Sequence, residues 1–337
     1  MTARPIVIGH RGVPGERLEH TRPSYLLAIE QGADYIEPDL VSTRDGVLVV
    51  RHENEISTST DVAEHPRFAD RKTSKIVDGT QLTGWFTEDF TLEELKTLRT
   101  RERLVDLRPQ NIPLAGQEQI LTFDEMLDLA EEATVATGRR VGAYVETKHP
   151  TYFAGIGLDL NDLLIDALER RSSNHEDANV IIQSMEPGNL RRLRDRTPLT
   201  LIQLMKGKGA PFDFVDAGDS RTYRDLATPA GLADVSSYAD GIGPIKMQVI
   251  ALDKRRRLAG ETGLVGHAHD AGLLVHAWTM RNENKYLPVN LRSSRDDSAH
   301  GDAVAEYLAY FDAGVDGVFS DFTATAVRAR DLWERRG

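Results

Sequence analysis

The run Tyr35-Ile36-Glu37-Pro38-Asp39-Leu40, the turn Arg44-Asp45-Gly46 and the run Val47-Leu48-Val49-Val50-Arg51-His52 decide how this chain is read. Both runs are rich in β-branched and apolar residues, so each predicts a strand. A link that short closes an antiparallel hairpin and cannot make a parallel crossover. The second run therefore stands outside the main series of strands. That series is Pro5–His10, Tyr35–Leu40, Val141–Glu146, Val180–Ser184, Leu199–Leu204, Gly241–Ile245, Leu274–Trp278 and Gly317–Ser320. Helical patterns separate these runs. Thr122 with Glu125 and Thr91 with Glu94 read as capping boxes, opening helices to about Thr137 and Thr100. Leu160–Arg171, Pro187–Arg196, Asp253–Ala271 and Ala303–Ala313 carry helical periodicity. Strands and helices alternating in this number predict an α/β fold, a (β/α)8 TIM barrel occupying residues 1–337.

Two connections are too long to be ordinary loops. Residues 53–121 follow the hairpin, contain a helix of their own and hold aromatic residues around Trp85, which predicts a small insertion subdomain. Residues 279–302 are polar and follow the Leu274 strand, where a lid over a barrel mouth would sit.

Composition narrows the chemistry. The 337 residues include no cysteine, so a disulfide scaffold, a thiolate zinc site, an iron–sulfur cluster and a cysteine nucleophile are excluded. Asp and Glu number 53 against 41 Lys and Arg, a formal charge of −12. That balance argues against nucleic acid and against a polybasic membrane patch as partners. No apolar run approaches the ~20 residues of a transmembrane helix. With a strand beginning at Pro5 there is no room for a leader, which reads as cytoplasmic, or as periplasmic or secreted if a leader has been removed. Oligomeric state leaves no mark in the sequence.

In such a barrel the reacting groups belong at the C-terminal ends of the strands. Here those ends carry His10-Arg11, Glu37-Pro38-Asp39, His52 at the end of the hairpin, and Glu146-Thr147-Lys148. Glu37 and Asp39 are two apart and point to one side of a strand. Two carboxylates so placed repel each other unless a cation joins them. With Glu146 on the next parallel strand they form a hard, all-oxygen ligand set, suited to Mg²⁺ or Ca²⁺. His10 and His52, each beside an arginine and close to this cation, are candidate acid and base. Arg11 and Lys148 can donate charge-assisted hydrogen bonds to an anion such as phosphate. The other histidines, His20 and His149 among them, have no comparable setting.

These residues resemble the glycerophosphodiester phosphodiesterase family. The likeness lies in His10-Arg11-Gly12, Glu19-His20-Thr21, Gly32 to Leu40, Asp45-Gly46 with Val49 to His52, Glu146-Thr147-Lys148-His149-Pro150, Gln183-Ser184 and Glu186-Pro187. It runs from residue 5 to about 325. The long insertion and the Glu-Thr-Lys-His-Pro run are similar to the bacterial periplasmic, calcium-dependent type. The resemblance implies a metal-dependent hydrolase that cleaves small-molecule glycerophosphodiesters to sn-glycerol 3-phosphate and an alcohol. Glycerol teichoic acid ends and lysophospholipid head groups are the alternative substrates. It further implies that Glu37, Asp39 and Glu146 hold the metal, Ca²⁺ before Mg²⁺. His10 and His52 would be acid and base, in an order the sequence leaves open. Arg11 and Lys148 would grip the phosphate, and Gln183 and Trp278 would shape the substrate pocket. Attack by the glycerol 2-hydroxyl, through a cyclic phosphate, is the family's expected route, and direct attack by water stays open. Glu53 stands where the family usually has Asp, behind the metal ligands, so the change is expected to matter little.

Overall fold

The computed structural model describes residues 4–336. Its strands, in chain order, are β1 (Ile6–His10), β2 (Tyr35–Glu37), β3 (Asp39–Ser42), β4 (Leu48–Val50), β5 (Thr73–Val77), β6 (Thr80–Gly84), β7 (Gly142–Thr147), β8 (Val180–Ser184), β9 (Thr200–Met205), β10 (Gly241–Pro244), β11 (Ile250–Leu252), β12 (Leu258–Glu261), β13 (Leu274–Met280) and β14 (Gly317–Ser320). One sheet runs β2-β1-β14-β13-β10-β9-β8-β7-β3-β4 and closes where β2 also pairs with β7. Every pairing in the ring is parallel, with β2 and β3 together making one stave, so the fold is a (β/α)8 barrel. The β3–β4 pair is antiparallel, as the short turn between them requires.

The stave of residues 35–42 is broken at Pro38, which has no N–H to give to the ladder. Its carbonyl still accepts from the Glu146 N–H at 2.9 Å. This break lies at the closing seam and brings Glu37 and Asp39 to the top of the barrel. Apolar side chains fill the inside of the ring, among them Ile8, Tyr144, Ile181, Ile202 and Phe319. A larger cluster seals the strands against the outer helices. Phe68, Trp85, Phe90, Leu95 and Leu98, from residues 53–121, belong to that same cluster. No helix among the described residues is long and apolar enough to cross a membrane.

Both capping boxes are present, at Thr91 and Thr122. The Thr122 helix runs to Thr137 as its sequence predicts. The Thr91 helix stops at Leu95, because Thr100 must be extended to bridge Thr60. The helix expected over 253–271 is a correction. That segment turns through the β11–β12 hairpin before a helix over Leu264–Asp270. Asp253 accepts from the N–H groups of Arg255 and Arg257 and so forms a turn, and Arg256 has φ 60°. A local carboxylate acceptor outcompetes the helix among four successive cations.

The top of β1 depends on a tight reversal at Arg11 and Gly12, with φ of 54° and 90°. A Cβ on Gly12 would lie 2.3 Å from Ser24 Oγ and 2.7 Å from the Ser24 carbonyl carbon. Gly12→Ala should therefore cost about 2–4 kcal/mol through overpacking and left-handed strain. A urea unfolding curve checks this, and an unchanged midpoint would contradict it.

Candidate active site

The register of the closing strands sets the site. His10 pairs with Glu37, Asp39 with Glu146, and Glu146 with Gln183. The row of strand ends thus assembles residues distant in sequence. His10, Arg11, Glu37, His52, Glu146, Lys148, Gln183 and Trp278 line one cavity of about 220 Å³. Asp39 completes the buried cluster Glu37, Asp39 and Glu146, in which one oxygen from each lies within 4.8 Å of the others.

Those carboxylates share too little compensating charge. Glu37 accepts from the Arg11 N–H at 2.8 Å and from Gln183 Nε2 at 3.4 Å. Burial, then Asp39 and Glu146, push its pKa well above the usual carboxylate range. Burial lifts Glu146 to about 7, with Asp39 adding to the rise and Lys148, 2.9 Å away, opposing it. Asp39 takes the ionised role. Burial would raise it, but Lys148, His52, Arg11 and His20 hold it well below the usual range. His20 Nε2 is 2.9 Å from Asp39 Oδ2, and Arg11 Nε is 3.3 Å from the same oxygen. Asp39 Oδ1 is buried with no hydrogen-bond partner among the described residues. A hard divalent cation fits this set: three carboxylates supply oxygen donors, one of them orphaned, and the cation would relieve their repulsion.

The two candidate acid/base histidines are held differently. His10 Nδ1 is 2.6 Å from Asp321 Oδ1. Asp321 also receives Arg108 at 2.5 Å and Arg281 at 2.7 Å. Against burial, Arg281, Arg108 and His10 keep that carboxylate well below its ordinary pKa. An ionised acceptor fixes the proton on His10 Nδ1 and leaves Nε2 with its lone pair. Burial, then Arg11, lower His10 to about 4, with Asp321 pulling the other way. His52 Nε2 lies 3.3 Å from Lys148 Nζ, and burial, then Arg11 and Lys148, lower its pKa to about 3. Arg11 is anchored by Glu19 at 3.0 Å, and Glu19 is itself held by Arg103 at 2.7 Å. Trp278 donates its indole N–H to the Gly243 carbonyl at 2.6 Å, so the indole offers the cavity ring surface.

Several supporting residues escape a sequence reading. His20, which has no catalytic setting in the sequence, is fully buried between Tyr25 and Asp39, and the Glu19-His20-Thr21 run is its signal. Asp321 directly follows the last strand, so the strand-end rule could have found it. Arg108 and Glu283, 2.8 Å apart, come from the two long connections and carry no local signal. His149, equally without a setting in the sequence, lies 3.0 Å from Glu53.

Residues 10–325 match the glycerophosphoryl diester phosphodiesterase family. A glycerophosphodiester phosphodiesterase of Arabidopsis thaliana is 34% identical, the match covering 98% of this chain and 87% of that one. One from Haemophilus influenzae is 28% identical over 97% and 90% of the two chains. Among solved structures, a glycerophosphoryl diester phosphodiesterase assigned in Silicibacter pomeroyi superposes with a TM-score of 0.69 at 20% identity, covering 98% of this chain and 94% of that one. A phosphodiesterase of Oleispira antarctica, in complex with the product sn-glycerol-3-phosphate, superposes with a TM-score of 0.62 at 19% identity, covering 97% of each.

The electrostatics of Glu37 give a measurable consequence. Its raised folded pKa means that folding favours the protonated form. That stability is complete below the unfolded value of about 4.3 and is lost as pH rises through the folded one. In metal-free protein, Glu37→Gln should melt about 1–4 °C above wild type, with the gap growing between pH 5 and 8. A variant that melts lower at pH 8 would contradict this account of the cluster.

Proposed function

This chain belongs to the glycerophosphoryl diester phosphodiesterase family and is a phosphodiesterase of that activity, and on this premise we propose that it cleaves glycerophosphodiesters by metal-dependent acid–base catalysis with two histidines. The products are sn-glycerol 3-phosphate and an alcohol. The observation that carries the metal part is the orphaned, buried Asp39 Oδ1 inside a cluster of three carboxylates. Glu37, Asp39 and Glu146 would hold the ion, which would supply positive charge to the phosphate as its transition state gains negative charge. Ca²⁺ and Mg²⁺ both suit the donor set.

The chain's own groups supply the rest. Arg11 and Lys148 donate to the phosphate oxygens from two sides of the cavity. His10 accepts the proton of the attacking hydroxyl at Nε2, because Asp321 holds its other nitrogen in the donor state. Asp321 stays ionised between Arg108 and Arg281, so the imidazolium formed on His10 keeps a carboxylate partner. His52 takes up a proton at Nε2 from solvent when the anionic phosphate binds beside it, and delivers that proton to the leaving oxygen. Gln183 and the ring of Trp278 border the substrate's glycerol side. The product named in the Oleispira antarctica structure is the one this reaction would release.

Chelation followed by dialysis should abolish hydrolysis of glycerophosphocholine, and Ca²⁺ or Mg²⁺ should restore it. Full activity under excess chelator would remove the metal from the account. His10→Ala and His52→Ala should each lower kcat by roughly 10²–10⁴-fold, and the double variant should lose far less than the product of the two. A nitrophenyl leaving group needs no protonation, so it should rescue His52→Ala and leave His10→Ala impaired. Rescue of His10→Ala instead would exchange the two roles.

A further inference from the structure

Asp321 steadies His10 from within the barrel's own strand ends, whereas His52 is reached from outside the ring. His52 Nδ1 makes a close but bent contact of 2.7 Å with Glu53 Oε1. The second oxygen of Glu53 lies 3.0 Å from His149 Nε2, and His149 Nδ1 lies 2.6 Å from Asp78 Oδ2. Asp78 and Gly79 are the two turn residues of the β5–β6 hairpin, with φ of 45° and 72°. That is the Asp-Gly signature of a tight hairpin turn. The hairpin therefore holds a carboxylate over the barrel mouth.

Each ring nitrogen of His149 faces a carboxylate, so both must donate and the ring is an imidazolium. Burial opposes that state, but Asp78 and Glu53 outweigh it and raise the pKa to about 9. His149 also holds a left-handed φ of 51° just before the helix Pro150–Gly155, a strained backbone for a residue with a Cβ. Glu53 spans two imidazoles with its two oxygens. An aspartate, one methylene shorter, would draw both oxygens back from that span.

We propose that Asp78, His149 and Glu53 form a positioning chain through which the β5–β6 hairpin keeps the Nδ1–H of His52 on Glu53, so that Nε2 is turned to the reacting phosphate and carries the proton given to the leaving oxygen. The chain alternates acid, imidazolium, acid and imidazole, so each donor meets one acceptor. It rests on the reading of His52 as the group that protonates the leaving oxygen. Glu53 and His149 also border the cavity, and Asp78 lies behind them. They act through the orientation of His52, as outer partners orient the histidines of metal sites.

The test compares Asp78→Ala, Glu53→Asp and His149→Asn with His52→Ala in the full-length, metal-loaded enzyme. Asparagine tolerates the left-handed backbone at 149. Each chain variant should lower kcat on glycerophosphocholine by roughly 10–100-fold and leave KM within about threefold. The loss should shrink on a nitrophenyl leaving group. Asp78→Ala combined with Glu53→Asp should be little worse than Glu53→Asp alone, because both cut the same chain. A folded Asp78→Ala with kcat within twofold of wild type, while His52→Ala is crippled, overturns the positioning chain alone. An unimpaired His52→Ala overturns the reading beneath it. Equal losses on both leaving groups overturn the chain as a device acting through His52. If Asp78→Ala fails to fold, His149→Asn decides by the same criteria.

Discussion

Three carboxylates are buried at the point where the barrel closes, and the site is organised around their mutual repulsion. Burial and like charge push Glu37 up and lift Glu146 to about 7 while Asp39 stays ionised. Such a cluster is costly in a fold that gains nothing from it. The surrounding residues soften that cost without removing it. Lys148 pairs with Glu146, His20 and Arg11 turn to one oxygen of Asp39, and the other oxygen has no hydrogen-bond partner among the described residues, with Lys148 Nζ 3.8 Å away. The arrangement is that of a site preorganised for a positive charge.

The same economy runs through the flanking groups. Without substrate, His10 and His52 are both kept neutral at ordinary pH by burial and by neighbouring cations. A neutral imidazole is useful as a base only if its tautomer is fixed, and the acid partners fix it. The support comes from distant parts of the chain: Arg108 from one long connection, Arg281 and Glu283 from the other. These connections lie over the C-terminal ends of the strands, where a barrel places its chemistry. They supply hydrogen-bond partners to the strand-end carboxylate Asp321.

Much of this was legible in the sequence, and the reasons are physical. Strand ends in a parallel barrel fall in one row, so Glu37, Asp39 and Glu146 could be brought together without knowing any distance. The short turn at Asp45-Gly46 told the hairpin apart from a crossover, and so gave the strand count. What escaped depends on competition that a pattern does not record. Residues 253–271 have helical periodicity, yet the Asp253 side chain captures two backbone N–H groups and makes a turn. His20 and His149 look like isolated histidines until the fold sets each against a carboxylate. Glu53 looks like a conservative exchange until both of its oxygens are seen to be in use.

The central claim is that the three carboxylates are a cation site, and direct binding tests it without reference to turnover. Calorimetric titration of Ca²⁺ or Mg²⁺ into metal-free protein should show a single site. Asp39→Asn should abolish that site while leaving the far-ultraviolet circular dichroism unchanged. Absence of binding to the wild type, or binding that survives intact in Asp39→Asn, would contradict the account.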